Sequence, residues 1–183
     1  MNEIPSDILC WNAFRSGDRQ AFENLFRGYY PLLLQYGTKI CPDRDLVNDC
    51  IQDLFIELWQ SKANTPVQSV KAYLLRALKY KLFRNLKTTQ AVQSADAWQE
   101  NMPFEISHDH FIVKREEEKA RTGRVTDAVR NLPSRQKEII YLKIYQQLSY
   151  EEISEVMGIN YQVARNLFSQ SLRSLRQFLT ESR

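Results

Sequence analysis

The sequence predicts an all-α protein: two small helical domains joined by a flexible acidic linker, the C-terminal one a helix-turn-helix domain. Three observations carry this. Apolar residues recur at spacings of three and four along most of the chain, while sustained alternation and Asn-Gly hairpin turns are absent. That periodicity weakens between residues 89 and 120, where seven acidic residues face three basic ones. Residues 148–179 read as a short helix, a glycine turn and a longer helix with one polar face. The expected divisions are a domain over 1–88, a linker over 89–120 and a domain over 121–183.

In the first domain, Ser6 can cap a helix carrying Ile8, Leu9, Trp11 and Phe14 that stops at Ser16-Gly17. Asp18 can cap the next, with Phe22, Leu25, Phe26 and Tyr29 buried. Pro31 is expected to end or kink it, with a further apolar stretch over 32–40 before Cys41-Pro42. Residues 43–60 form another strong helix with Val47, Cys50, Ile51, Leu54, Phe55, Leu58 and Trp59 on a wide apolar face. Its other side carries Asp45, Asp49, Asp53 and Glu57 every four residues, a stripe that drifts by about 40° per step. The stripe suits a solvated face as well as a docking face for a basic partner. The Glu-x-x-His partners that a metal site in a helix bundle uses are missing.

After Thr65-Pro66, residues 70–87 form the most charge-biased helix. Lys71, Arg76, Lys79, Lys81, Arg84 and Lys87 lie on it with no acidic residue among them, interleaved with Tyr73, Tyr80 and Phe83. Cations that track phosphates beside aromatics that stack on bases are what a single-strand binding surface needs. A solvated amphipathic helix with core aromatics fits the same pattern. In the linker, Trp98, Phe104 and Phe111 are placed to dock on a neighbouring surface, and a short helix begins near Ser107.

In the C-terminal domain, Val125, Ala128, Val129 and Leu132 lead to Pro133. Ser134 then caps a helix with Ile139, Ile140, Leu142 and Ile144 inside. Ser149 and Glu152 form a capping box for the next, which presents Ile153, Val156 and Met157 and ends at Gly158. Asn160 can cap the last helix, where Tyr161, Ala164, Phe168, Leu172 and Leu175 make a buried face. The opposite face carries Gln162, Arg165, Asn166, Ser169, Gln170 and Arg173. Arg, Asn and Gln match base edges in a major groove, and the second helix of a helix-turn-helix enters that groove. An ordinary helical hairpin with a solvated face is the other reading.

Composition narrows the class. A net charge of +3 does not by itself announce a nucleic-acid binder, so the local excess matters: ten basic against six acidic residues from residue 121 onward. The three cysteines, Cys10, Cys41 and Cys50, read as reduced buried thiols of a cytoplasmic protein. His108 and His110 have no nearby cysteine, so no metal and no cofactor is expected. No Ser-His-Asp or Cys-His set and no phosphate-binding glycine loop appears, which argues against an enzyme. No signal peptide and no apolar run of about 18 residues is present, so no direct membrane insertion is expected.

The order of these parts resembles the extracytoplasmic-function group of bacterial RNA polymerase sigma factors, from about residue 17 to 179. GDRQAFENLFRGYYPLLL is similar to the opening of the family's second region, and DLVNDCIQDLFIELW to its most recognisable motif, with Asp49, Gln52, Asp53, Phe55 and Trp59 in matching places. LPSRQKEIIYLKIYQQLSYEEISEVMGI is similar to the fourth region. The resemblance implies an alternative sigma factor. It implies that Asp49, Gln52 and Asp53 contact the clamp helices of the polymerase largest subunit. It implies that Lys71, Arg76, Lys79, Tyr80, Lys81, Arg84 and Lys87 hold the minus-ten promoter element. The last helix would read the minus-thirty-five element. It also implies an anti-sigma factor, often membrane-anchored. Tyr80 and Arg84 stand where the family often has Asn and Asp. Tyr161 stands at a usually aliphatic position and Leu167 where a polar residue is common. The groove contacts are therefore assigned by face: Gln162, Val163, Arg165, Asn166, Ser169, Gln170 and Arg173.

Two rivals remain. A helix-turn-helix regulator of the response-regulator output type would carry an α/β receiver, which the N-terminal half does not resemble. A helical scaffold that binds no DNA would leave the six-cation helix unexplained.

Overall fold

A capped loop starts the first bundle. The computed structural model describes residues 6–61, 66–89, 102–106 and 125–181, and every regular element among them is helical. Helix α1 (Ser6–Arg15) ends where Gly17 turns left-handed at φ 95°, a conformation cheap for glycine. The Asp18 carboxylate then accepts from the N–H groups of Gln20 at 2.8 Å and Ala21 at 3.1 Å and starts α2 (Arg19–Ile40). The expected break at Pro31 does not occur; α2 continues through it. Pro31 is exposed and forfeits one intrahelical bond. The buried stripe Leu25, Tyr29, Leu33, Tyr36 and Ile40 spans the proline and holds both halves against the bundle.

Helix α3 (Arg44–Ser61) is capped by Asp43, which accepts from Asp45 and Leu46 N–H, and α4 (Val70–Thr89) by the Ser69 hydroxyl, which accepts from Ala72 N–H. Both pack on α2. Gly37 marks the tightest crossing: a Cβ there would stand 2.5 Å from Val47 Cγ1. An aromatic seam ties α1 and α2 to their neighbours. Phe22 lies 4.9 Å from Trp59 and 5.9 Å from Phe55 between ring centroids, and Trp11 lies 5.3 Å from Tyr73. The chain divides into two compact units, within residues 1–92 and 93–183, and this bundle is the first.

In the second unit, helical residues 125–130 precede α5 (Ser134–Ile140), which widens into a π turn at Tyr141–Tyr145. There the Gln146 N–H donates to the carbonyl of Tyr141, five residues back, at 3.1 Å. The wider turn shifts the register. Tyr141 and Leu142 are buried, whereas Ile144, expected inside, is 50% exposed. Burial pushes the Tyr141 hydroxyl up to about 12, opposed by the hydrogen bond from Gln146. Helix α6 (Tyr150–Met157) opens with the expected capping box and closes on Gly158 at φ 64°, ψ 35°. Helix α7 (Tyr161–Glu181) packs on α5 and α6, with Asn160 Oδ1 accepting from Val163 N–H at 2.8 Å.

Residues 102–106, expected in the linker, pack within this second unit. Met102, Phe104 and Ile106 are buried while Pro103 and Glu105 are exposed. The Phe104 ring lies 5.6 Å from that of Tyr141, and Glu105 takes both oxygens to the buried Lys137 ammonium. The helix expected near Ser107, the side chains of Trp98, Phe111 and Lys87, and both histidines lie outside the described residues. Among the described residues no helix is long and apolar enough to cross a membrane.

Candidate functional site

Three surfaces carry the residues singled out by sequence. On the outer side of α3, Asp45, Asp49, Gln52, Asp53 and Glu57 are all exposed. Core packing explains this: Val47, Cys50, Ile51, Leu54, Phe55 and Leu58 take the inward positions and turn the acidic stripe outward. Next to the stripe runs an open apolar cleft of about 520 Å³ lined by Phe22, Phe26, Gln52, Phe55, Ile56 and Trp59. Ile56 is 52% exposed and Trp59 40%. Gln52 belongs to both features. The sequence reading missed Ile56 and counted Trp59 as core. The available signal was Ile56 standing between Asp53 and Glu57, off the apolar face.

The second surface is a groove of about 580 Å³ between α3 and α4. Arg76, Tyr80, Lys81 and Arg84 line it together with Tyr73 and Glu57. Lys71 and Lys79 do not line it, because their positions on α4 turn them to other sides of the helix. Tyr80 is 56% exposed, with its ring 6.3 Å from that of Phe83, which is buried. The groove thus offers an aromatic face beside three cations. Lys81 donates to Glu57 Oε1 at 2.6 Å, so one carboxylate tempers the positive charge at the α3 edge. The Cys50 thiol beneath is pushed up by burial, and Asn85 Nδ2 donates to its sulfur at 3.2 Å.

The third surface is α7. Gln162, Val163, Arg165, Asn166, Ser169, Gln170 and Arg173 are all exposed on this one helix. Ala164 and Ser171 are fully buried beneath, and the Ser171 hydroxyl is satisfied by the Leu167 carbonyl at 2.7 Å. Gln162 Nε2 donates to Asn166 Oδ1 at 3.0 Å, which fixes two amides one turn apart. Of the face expected to be buried, Ala164 is fully so and Phe168, Leu172 and Leu175 are half-buried, whereas Tyr161 is 43% exposed. As the first residue of the helix, it has no preceding turn to cover it. Among the described residues no group of three or more His, Cys, Asp or Glu is arranged to hold a metal ion.

The sequence profile "Sigma-70 region 2" matches residues 25–92, which include α3, α4 and most of α2. The profile "Sigma-70, region 4" matches residues 122–175, which include α5, α6 and most of α7. Together they cover two thirds of the chain. The chain belongs to the sigma-70 family. It is an alternative sigma factor of the extracytoplasmic-function group, acting in promoter recognition and transcription initiation with RNA polymerase. It is similar to RNA polymerase sigma factor SigZ of Bacillus subtilis (strain 168), 26% identical over 163 residues that cover 86% of each chain. Two solved structures share the fold. CnrH, solved in complex with the cytosolic domain of CnrY, superposes with a TM-score of 0.62 at 20% identity over 97% of this chain and 99% of its own. The sigma factor RpoE of Bartonella quintana, solved with the anti-sigma factor NepR, gives 0.59 at 19% identity over 88% and 98%. In this sigma factor the acidic stripe, the basic groove and the apolar cleft apart from Phe22 fall inside the region 2 match, and the polar face of α7 inside the region 4 match.

Proposed function

We propose a division of labour among the three surfaces of this sigma factor. Asp49, Gln52 and Asp53, with the apolar cleft at Ile56 and Trp59, dock on the clamp helices of the polymerase largest subunit. The groove of α4 takes the opened non-template strand of the minus-ten element, with Arg76, Lys81 and Arg84 toward phosphates and Tyr80 against a base. Lys71, Lys79 and Lys87 add to the field around it. The polar face of α7 reads the minus-thirty-five duplex through Gln162, Val163, Arg165, Asn166, Ser169, Gln170 and Arg173. Residues 1–88 and 121–183 form the bulk of the two working domains, with residues 102–106 packed into the second. The protein has no catalytic activity of its own and works in the cytoplasm.

The observation that supports this most is the sorting of charge within one small bundle. Exposed carboxylates flank an apolar cleft on the outer side of α3, while cations gather around an exposed tyrosine in the groove between α3 and α4. A protein partner fits the first, and a stacked, negatively charged strand fits the second. An anti-sigma factor that covers these surfaces is the expected regulator. The solved relatives bound to CnrY and NepR support that expectation.

The test is permanganate footprinting of holoenzyme on a responsive promoter. Replacing Lys79, Lys81 and Arg84 together with Ala should lower thymine reactivity and flatten its salt dependence, with core binding kept. Normal reactivity in the triple variant would remove the strand-holding role.

A further inference from the structure

The exposed ring of Tyr161 adds to the DNA-reading surface something that helical periodicity conceals. Its neighbours hold it from one side. The edge of its ring meets Tyr150, with centroids 5.8 Å apart at 77°. Tyr150 in turn meets Phe168 at 6.2 Å and carries the Lys143 ammonium 4.6 Å above its ring. Lys143 itself is tied to the Leu148 carbonyl at 2.9 Å. The position of Tyr161 is therefore fixed by the contact between α6 and α7 rather than by α7 alone.

Tyr161 also carries Arg165. The guanidinium carbon lies 5.9 Å from the ring centroid, one helical turn on. No acidic residue stands within four positions of Arg165, so no carboxylate on the same turn competes for the guanidinium. An arginine on a helix surface samples many rotamers, and a ring at this distance attracts its cation and narrows that set. Bidentate recognition of guanine O6 and N7 depends on the plane of the fork being correctly set.

We propose that Tyr161 is a positioning residue for base reading: its ring holds the Arg165 guanidinium in the plane that meets a guanine in the major groove. This rests on the assignment of α7 to the upstream duplex. An exposed cation–π contact corresponds to about a threefold bias among rotamers, and that is the size of preference at stake.

The experiment uses holoenzyme and a pool of promoter DNAs randomised across the upstream duplex element, with bound molecules sequenced. Wild type should enrich guanine at one position, and Arg165→Ala should abolish that enrichment. Tyr161→Leu, which places an aliphatic side chain at the start of α7, should reduce it about threefold at the same position. Tyr161→Phe should keep it. Tyr161→Leu combined with Arg165→Ala should be no worse there than Arg165→Ala alone. Two results overturn the proposal: Tyr161→Leu leaving that position unchanged, or Tyr161→Phe losing the preference as fully as Leu does. If wild type enriches no upstream base at all, the assignment of α7 falls, and the proposal with it. If it enriches bases that Arg165→Ala does not affect, α7 keeps its role and only the proposal fails.

Discussion

Lys137 and Glu105 form an ion pair across 32 residues of chain, with the ammonium nitrogen 2.9 Å and 3.0 Å from the two carboxylate oxygens. Only 7% of the lysine side chain is exposed, against 68% of the glutamate's. The buried cation is thus neutralised from outside, by a segment anchored through Phe104 on Tyr141. Phe104→Ala should destabilise the second unit by about 3 kcal/mol, the usual loss for a buried aromatic. Glu105→Gln should cost about 1 kcal/mol, because its carboxylate is solvated. A fragment of residues 100–183 should also unfold at higher urea than one of 121–183. Equal midpoints for the two fragments would show that residues 102–106 contribute nothing to this unit.

The α3 surface makes a separate prediction. Asp49→Lys with Asp53→Lys should weaken capture of core polymerase at moderate salt while leaving helix content unchanged. Ile56→Asp should weaken it by about 2 kcal/mol, since an exposed apolar side chain beside a cleft has the character of an interface anchor. Trp59 is a poorer probe because it also packs on Phe22. Unchanged capture by the double reversal and by Ile56→Asp would move polymerase docking elsewhere.

Lys39 gives the pH dependence. It is 5% exposed, and burial lowers it from 10.5 to about 8. Between those two values the unfolded chain binds more protons than the folded one, so this group makes stability rise with pH across that window. Below pH 8 its charged form is held at a cost in both acid and neutral solution. Lys39→Met removes this burial cost, so the variant's stability relative to wild type should be most favourable near pH 7. The gain should shrink as the pH is raised toward 10. Urea unfolding at pH 7 and 9.5 measures it, and a gain that stays constant would mean that Lys39 does not titrate in this range.

Much of this was legible in the sequence because local chemistry and tertiary packing agree. Asp18, Asn160 and the Ser149–Glu152 box cap the helices they were expected to cap. The exposed face of α7 follows directly from its 3.6-residue period. The departures have different causes, tertiary packing in one case and local helix geometry in the others. Pro31 does not end α2 because the apolar stripe on either side of it is buried in the bundle with α1, α3 and α4. Ile144 turns outward because it lies within a π turn, and nothing local in YLKIY announces one. Tyr161 lies at a helix start, where a periodic face has no neighbouring turn to complete it. Among the basic residues of α4, Arg76, Lys81 and Arg84 line the groove and Lys71 and Lys79 do not, since a count along the chain does not record angle around the helix.

The central claim is that this chain gives polymerase core a promoter preference of its own. The direct measurement is transcription from a fragmented genomic DNA pool by purified core, with and without the protein, with the 5′ ends of transcripts sequenced. The account predicts transcripts that appear only when the protein is added and that share two upstream elements at a fixed spacing. They should disappear when Asp49→Lys and Asp53→Lys are combined, and the upstream element should lose base preference in Arg165→Ala. A transcript set that is identical with and without the protein would contradict it.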